Sequence, residues 1–502
     1  MFLEHGQAKE IQAELQQQNI SISVSEVEYL SKKFIIYLSI VQERNTMGII
    51  DVMDANGGYI LHIDALGGSK GGERLICGVD GITKWILGNA KIKSEHSAYV
   101  KPFLGDIKGR FGKPLCIVQD MGRGIMKGVR EVFPGTKILI CHFHFLRDIG
   151  KDLLEENYDV IRKRLRHFGF LTTLRNLSKT LKLLFANSQE ATNEFCLLCS
   201  SEHETVSNTA TSSAIYLYTL IEYILDWKSQ SNGYGFPFDR PHLDLALRIN
   251  EVVEFLNSPM LTTPVVREIQ LQLKAILEEI SQDEALKESV KGIHDELTLF
   301  DKLRSAMRIA PENGTDGLND DGSDVDIKAI ENGVDTFIAE QKTGDASLWN
   351  IKMKAFMKQL DKYREQLFSD PIFVETATGI KKIQPQRTNN LMERMFRDFS
   401  RDNKRKTGVD SIGNTIRAMV ADTPVVRNLK DEHYRKIIIG ENESLAEAFA
   451  EIDIDTVRRK MKEHDVCNEA VPKNIKTILR KNNALDILAN IRNRIVDGVK
   501  SN

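Results

Sequence analysis

Three acidic side chains stand where they could do chemistry. Asp64 lies inside the apolar run Tyr59-Ile-Leu-His-Ile-Asp64-Ala-Leu. Asp is depleted in strands, and burying an unpaired carboxylate is costly, so this one needs a reason to be there. Asp120 closes a second apolar run, Pro114–Gln119, and is followed by Met-Gly-Arg-Gly. Glu393 lies in Arg387-Thr-Asn-Asn-Leu-Met-Glu393-Arg-Met-Phe-Arg397. Converging carboxylates are hard oxygen ligands suited to Mg²⁺ or Mn²⁺. Three of them could hold two such ions and so support attack on a phosphodiester. Each also has a plainer reading. Asp64 could face solvent from its strand, and Asp120 could be a helix N-cap or loop residue. Glu393 could complete a capping box with Asn390 and pair with Arg397 at i, i+4.

The elements that must position these residues follow from the pattern around them. Tyr59–Leu66 is a first strand, and Gly67–Gly72 a turn. Leu75–Val79 is a second strand, joined through Asp80-Gly81, a strong hairpin signal, to a third over Thr83–Leu87. Ser94 opens a helix that reaches about Phe111. Pro114–Gln119 is a fourth strand, Gly124–Phe133 a helix, Lys137–Cys141 a fifth strand, and a long helix starts near His144. An antiparallel meander feeding right-handed βαβ units predicts a mixed five-stranded sheet, which is the ribonuclease-H-like order. In that order the first and fourth strands are neighbours. Asp64 and Asp120 then converge outside strand C-terminal ends, where ligands of open α/β sheets bind. The fold class predicted is α/β: a ribonuclease-H-like sheet interrupted by a large all-α insertion, with helical N- and C-terminal regions.

Around Glu393, Leu391, Met392, Met395, Phe396 and Phe399 form the buried side of a helix. Glu393, Arg397, Arg401 and Lys404 form a separate stripe. Arg394, Arg405 and Lys406 add to a basic segment that Asp398 and Asp402 dilute. Beside a carboxylate that meets metal ions, such a stripe suits contact with backbone phosphates; alone, it reads equally as a solvated face. Net charge is −3, so no global positive field points to nucleic acid, and a DNA surface must be local.

Residues 7–42 read as two helices, the second opened by Ser23 with Glu26. They are either a helix-turn-helix DNA reader or a helical hairpin packed on the next domain. Their abrupt start leaves room for a preceding DNA-reading region. From 151 to 380 strand signals fade, and amphipathic segments such as Val265–Leu277 and Leu348–Leu367 dominate. Asn232–Phe238 is a Gly/Pro/aromatic loop, and Pro311–Asp326 an acidic connector. As a calcium loop with Gly322 at the turn, that connector would put Gly317 and Lys328 at the end positions, and the pattern fails. Trp227 and Trp349 could stack on bases or pack in a core. Val425–Ile439 and Asn474–Ile495 read as helices.

The 502-residue chain is long enough for two to four domains. Its six scattered cysteines do not make a disulfide framework, which fits a reducing cytoplasm. Phe34–Val41 is too short to span a bilayer, so no membrane association is expected.

The ordered set of Asp64-Ala-Leu-Gly-Gly, Val118-Gln-Asp120-Met-Gly-Arg-Gly, Phe133-Pro, Cys141-His-Phe-His144 and Thr388-Asn-Asn-Leu-Met-Glu393 resembles DDE insertion-sequence transposases. The likeness is greatest to the Mutator-like group, with a helical insertion between the second Asp and the Glu. It covers roughly residues 55–150 and 380–420. It implies a ribonuclease-H-like core, Asp64, Asp120 and Glu393 holding two Mg²⁺ or Mn²⁺ ions, and transposon-end and target double-stranded DNA as partners. Cys141 and His144 match that group's Cys-x-x-His element and read as supporting residues. They could also join Cys196, Cys199 and His203 in a zinc site, against the plainer reading of those three as insertion core. DNA contact is expected from Arg387, Asn389, Asn390, Arg394, Arg397, Arg401, Lys404, Arg405 and Lys406. Pairing two DNA ends calls for a homodimer or higher oligomer, cytoplasmic and nucleoid-associated when DNA-bound. The domains expected are 1–45, 55–150, 151–380, 381–420 and 421–502. The competing functions are another ribonuclease-H-like nuclease, or an inactive DNA-binding remnant of a transposase.

Overall fold

Strand β1 (Ile60–Gly67) is fully buried over its first four residues and half-exposed from Asp64 onward. Asp64 therefore marks where the strand leaves the core. On one side β1 pairs antiparallel with β2 (Arg74–Asp80), Asp64 opposite Cys77. On the other it pairs parallel with β4 (Cys116–Gln119), His62 opposite Val118. With β3 (Ile86–Ile92) and β5 (Lys137–Ile140), the order across the sheet is β3-β2-β1-β4-β5. This is the mixed five-stranded sheet expected from the element order, in a chain that is otherwise mostly helical.

The structure, a computed structural model, describes residues 7–67, 72–186, 189, 193, 210–229, 231–256, 263–310, 327–343, 349–409, 411–467 and 483–500. The chain divides into two units, 1–139 with 371–502, and 140–370.

The first unit opens with helices α1 (Ala8–Gln17), α2 (Val24–Arg44) and α3 (Thr46–Ala55). Ser23 caps α2 as expected, its hydroxyl accepting the Glu26 N–H at 3.1 Å. The far half of α2 is core: Ile35, Ile36, Leu38, Ile40 and Val41 are buried with the sheet residues. Helices α4 (Ser97–Phe111) and α5 (Arg123–Val132) follow β3 and β4. The C-terminal segment shares the same core through Ile416, Val425, Leu429, Tyr434 and Ile438. Residues from both terminal segments thus complete the core of the sheet, which buries apolar faces that would otherwise meet water.

The second unit runs through α6 (His142–Phe168), α7 (Leu171–Phe185), α8 (Ala210–Leu225), α9 (Pro241–Phe255), α10 (Pro264–Ser281), α11 (Glu284–Ala306), α12 (Ile327–Thr343) and α13 (Trp349–Leu367). Inside it, Phe143 stacks on Phe238 with centroids 4.6 Å apart, and a Cβ on Gly150 would meet Pro237 at 2.3 Å.

Several local expectations shift. The third strand starts at Ile86, not Thr83, because Asp80 gathers the intervening turn. Its carboxylate accepts the N–H groups of Ile60, Ile82 and Thr83. Helix α4 is capped by His96 rather than Ser94; the imidazole accepts the Ala98 N–H. Residues 371–380, expected in the helical insertion, belong to the first unit. They open the hairpin of β6 (Ile372–Thr376) and β7 (Gly379–Ile383), in which only Ile383 is buried, so no apolar alternation signals the strands. Val425–Ile439 is a 3₁₀ segment (Thr423–Lys430) and a helix (Glu432–Ile439), broken where Asp431 caps the second. The acidic connector 311–326, most of Gly67–Gly72 and residues 474–482 lie outside the described residues.

Candidate active site

Asp64 leaves the sheet at the half-exposed end of β1, and Asp120 directly follows β4. Parallel pairing of these two strands delivers both carboxyls to one end of the sheet. Helix α14 (Asn390–Thr407) packs on β1 and contributes Glu393 from its first turn. All three carboxylates are half-buried. Asp64 registers their proximity. Burial drives its carboxyl well above the usual carboxylate range, and the charges on Asp120, Glu393 and Glu95 push the same way, against the Ala65 N–H.

The plainer readings of Glu393 are not realised. Asn389, not Asn390, is the N-cap residue of α14, and its side chain makes no capping hydrogen bond. Its amide is spent elsewhere: Oδ1 lies 2.9 Å from His62 Nδ1, and Nδ2 donates to the Ile63 carbonyl at 3.0 Å. Arg397 makes no ion pair with Glu393 among the described residues.

Asp64 Oδ1 accepts the Ala65 N–H at 2.8 Å, and Asp120 Oδ1 accepts the Gly122 N–H at 2.9 Å. The other oxygen of each accepts no hydrogen bond among the described residues. Among the described residues no three His, Cys, Asp or Glu side chains form a ready-made cage for an ion. Mg²⁺ ordinarily takes one or two carboxylates and completes its shell with water and substrate phosphate. An open arrangement of hard oxygen donors, repelling one another and poorly solvated, suits that class of ion. Asp64, Asp120 and Glu393 are the residues that would hold it.

Sequence reasoning missed Glu95 and Arg74, which form an ion pair beside Asp64. Glu95 is held close to the Asp120 loop: a Cβ on Gly124 would sit 1.9 Å from the Glu95 carbonyl oxygen, so only glycine fits. No spacing in the sequence joins 95 to 124. His62 was also missed, although the argument used for Asp64, a polar residue inside an apolar strand, applies to it equally. Its imidazole is buried, and its pKa is lowered to about 4, chiefly by that burial.

The expected DNA-contact residues separate into two groups. Arg394, Arg397, Arg401, Lys404 and Arg405 are exposed on α14, and Lys406 is half-exposed. Arg397 and Arg401 make no ion pair among the described residues, whereas Arg405 approaches Asp402 at 3.8 Å. Arg387, Asn389 and Asn390 are buried. This corrects their expected place on a DNA-facing surface: the segment before α14 is packed inward on β1 and the β2 turn.

Cys141 is the N-cap residue of α6 and His144 lies in its first turn; both are buried and belong to the 140–370 unit. Burial lowers the His144 pKa to about 3, and Arg147 and Lys151 add to the effect. Cys196, Cys199 and His203 lie outside the described residues, as does the Trp349 side chain. Trp227 is buried against His242, ring centroids 5.0 Å apart, and is core rather than a base-stacking platform. Among the described residues no helix is long and apolar enough to cross a membrane. Compared with protein-family models and with curated proteins, the chain matches none.

Proposed function

We propose that this chain is a DDE-type DNA transposase on a ribonuclease-H-like sheet, cutting transposon ends and joining them to target DNA. The observation that carries the reading is structural: the parallel pairing of β1 with β4 and the packing of α14 on β1 bring the elements that carry Asp64, Asp120 and Glu393 together, and Asp64 feels the charge of the other two. Two Mg²⁺ or Mn²⁺ ions bound there would activate water and offset the charge that builds on a phosphodiester.

The chain's own residues prepare that chemistry. Asp64 and Asp120 each commit one oxygen to a backbone N–H and present the other, which fixes the carboxyl planes. Burial around Asp64 weakens the competition of water for a cation. Arg397 and Arg401, one and two turns beyond Glu393, are exposed cations placed to hold backbone phosphates. The reading takes transposon-end and target duplex DNA as partners and at least two copies of the chain, one for each end.

The test is cleavage of duplex DNA carrying the sequences that flank the coding region. With Mg²⁺ or Mn²⁺, the wild-type protein is expected to nick it and leave a 3′-hydroxyl. Glu393→Gln is expected to bind that DNA with near-normal affinity and to cut nothing. Wild-type-like cutting by Glu393→Gln would remove the third carboxylate from the site. A preference for RNA–DNA hybrids over duplex DNA would replace the transposase with another nuclease.

A further inference from the structure

The strand that carries Asp64 and the helix that carries Glu393 are joined, one step earlier on each, by a buried hydrogen bond. His62 Nδ1 lies 2.9 Å from Asn389 Oδ1, and neither side chain reaches solvent. Asn389 Nδ2 is spent on the Ile63 carbonyl at 3.0 Å. Asn389 Oδ1 can therefore only accept, and His62 must donate from Nδ1. Gln386, three residues earlier, donates to the Gly81 carbonyl at 3.3 Å. Gly81 in turn makes room for the ring: a Cβ there would stand 2.7 Å from His62 Nε2.

The geometry repeats at the next step. His62 and Asp64 are two residues apart on a strand, so their side chains leave the same face of β1. Asn389 and Glu393 are four apart at the head of α14, one turn along one side of the helix. Two strand residues advance about 6.7 Å, and four helix residues about 6 Å. A bonded rung, His62–Asn389, thus precedes a rung of like charges, Asp64 and Glu393. Apolar residues could hold strand to helix at lower cost. The polar pair leaves His62 Nε2 buried without a hydrogen bond, a penalty that packing alone does not explain. What a hydrogen bond adds over an apolar contact is a fixed distance and direction between strand and helix.

We infer that His62 and Asn389 are positioning residues: their buried hydrogen bond sets the spacing of Asp64 and Glu393, and through it the affinity of the site for divalent cations. The inference rests on the reading of this site as a divalent-ion centre. Outer partners of metal ligands typically change affinity by about 10–100-fold when removed, and that is the range expected here.

The test measures Mn²⁺ binding to the full chain without DNA, by calorimetry, alongside thermal melts. Wild type is expected to bind and Glu393→Gln to bind weakly. Asn389→Ala is expected to lose about 10–100-fold in affinity. His62→Leu removes an unbonded buried nitrogen but also withdraws the donor to Asn389 Oδ1; once its melt shows it folded, it is expected to lose a similar factor, and His62→Gln, which keeps a donor, to recover most of it. Where DNA cutting is measured, the same variants should lose kcat with KM for DNA unchanged. Failure of wild type to bind Mn²⁺ overturns the divalent-ion reading itself. Wild-type affinity in folded His62→Leu, with weak binding by Glu393→Gln, overturns only the positioning role.

Discussion

Asn428 hydrogen-bonds both backbone groups of Ile86: its Oδ1 accepts the Ile86 N–H at 2.9 Å and its Nδ2 donates to the Ile86 carbonyl at 2.9 Å. Ile86 begins β3, an edge strand whose outer groups would otherwise be open to pairing with another chain. A side-chain amide from the C-terminal segment takes the place of a neighbouring strand. Gln42 of α2 adds a donor to the Leu87 carbonyl at 3.1 Å, and Tyr434 donates to Gln42. Asn428→Leu leaves the Ile86 N–H buried and unpaired, and should cost about 1–3 kcal/mol. Urea unfolding followed by tryptophan fluorescence measures it, since Trp85 precedes Ile86 in the same core. A change below about 0.5 kcal/mol, the ordinary range of surface substitutions, would show that the amide is not part of the edge.

Asp64 is held in an environment that opposes its own ionisation. Replacing it with Asn removes a buried charge repelled by Asp120, Glu393 and Glu95. In metal-free buffer Asp64→Asn should therefore melt above the wild type. Added Mn²⁺ should raise the wild-type melting temperature by mass action and leave the variant unmoved, and cutting should be lost in the variant. A variant that melts below wild type without metal would mean that Asp64 is a structural residue.

How far the site could be read from sequence depends on what positions each residue. Asp64 and Asp120 were legible because strand order follows from local hydrophobic runs and turn signals, and order alone makes β1 and β4 neighbours. Glu393 was not legible by spacing: a capping box at Asn390 explains the same letters. What removes that reading is where the helix starts: Asn389, bonded to His62 across the fold, is the N-cap residue and Asn390 is already helical, a boundary no local pattern reports. Glu95 was invisible for the same reason, since backbone packing against Gly124 brings it in. The β6–β7 hairpin was missed because no apolar face alternates along it: Phe373 and Ile380 are exposed beside Glu375, Lys381 and Lys382, and only Ile383 is buried.

Arg397 and Arg401, exposed on α14 and in no ion pair among the described residues, give a prediction about salt. A cation that neutralises a phosphate releases counterions, so log affinity falls with log salt by roughly 0.9 for each neutralised phosphate of duplex DNA. Arg397→Ala with Arg401→Ala should therefore make that slope shallower by about 1.8, equally for specific and unrelated sequences. Fluorescence anisotropy over a salt series measures this. An unchanged slope would place the DNA away from this face of α14. Arg405→Ala should have the smaller effect, because Asp402 already offsets that charge.

Among the described residues, His144 is the histidine whose pKa is lowered furthest. Its pKa falls from 6.5 to about 3, mainly because the folded chain buries the ring, with Arg147 and Lys151 nearby. Between these two values the unfolded chain takes up a proton that the folded chain refuses. Stability from this group is thus fully present above about pH 6.5 and declines as pH falls toward 3, by up to about 1.4 kcal/mol per pH unit. Carboxylates cannot produce the upper part of that decline, since most are still ionised at about pH 5.5. Hydrogen exchange in α6 at about pH 7 and about pH 5.5, either side of the ordinary imidazole range, reads the effect at this helix once rates are corrected for the intrinsic pH dependence; because His242 also meets α6 through Tyr158, the His144 share is the difference between wild type and His144→Gln. Protection should fall at the lower pH in wild type and much less in His144→Gln, which cannot take up the proton. Equal loss of protection in both proteins would assign the acid sensitivity to another group.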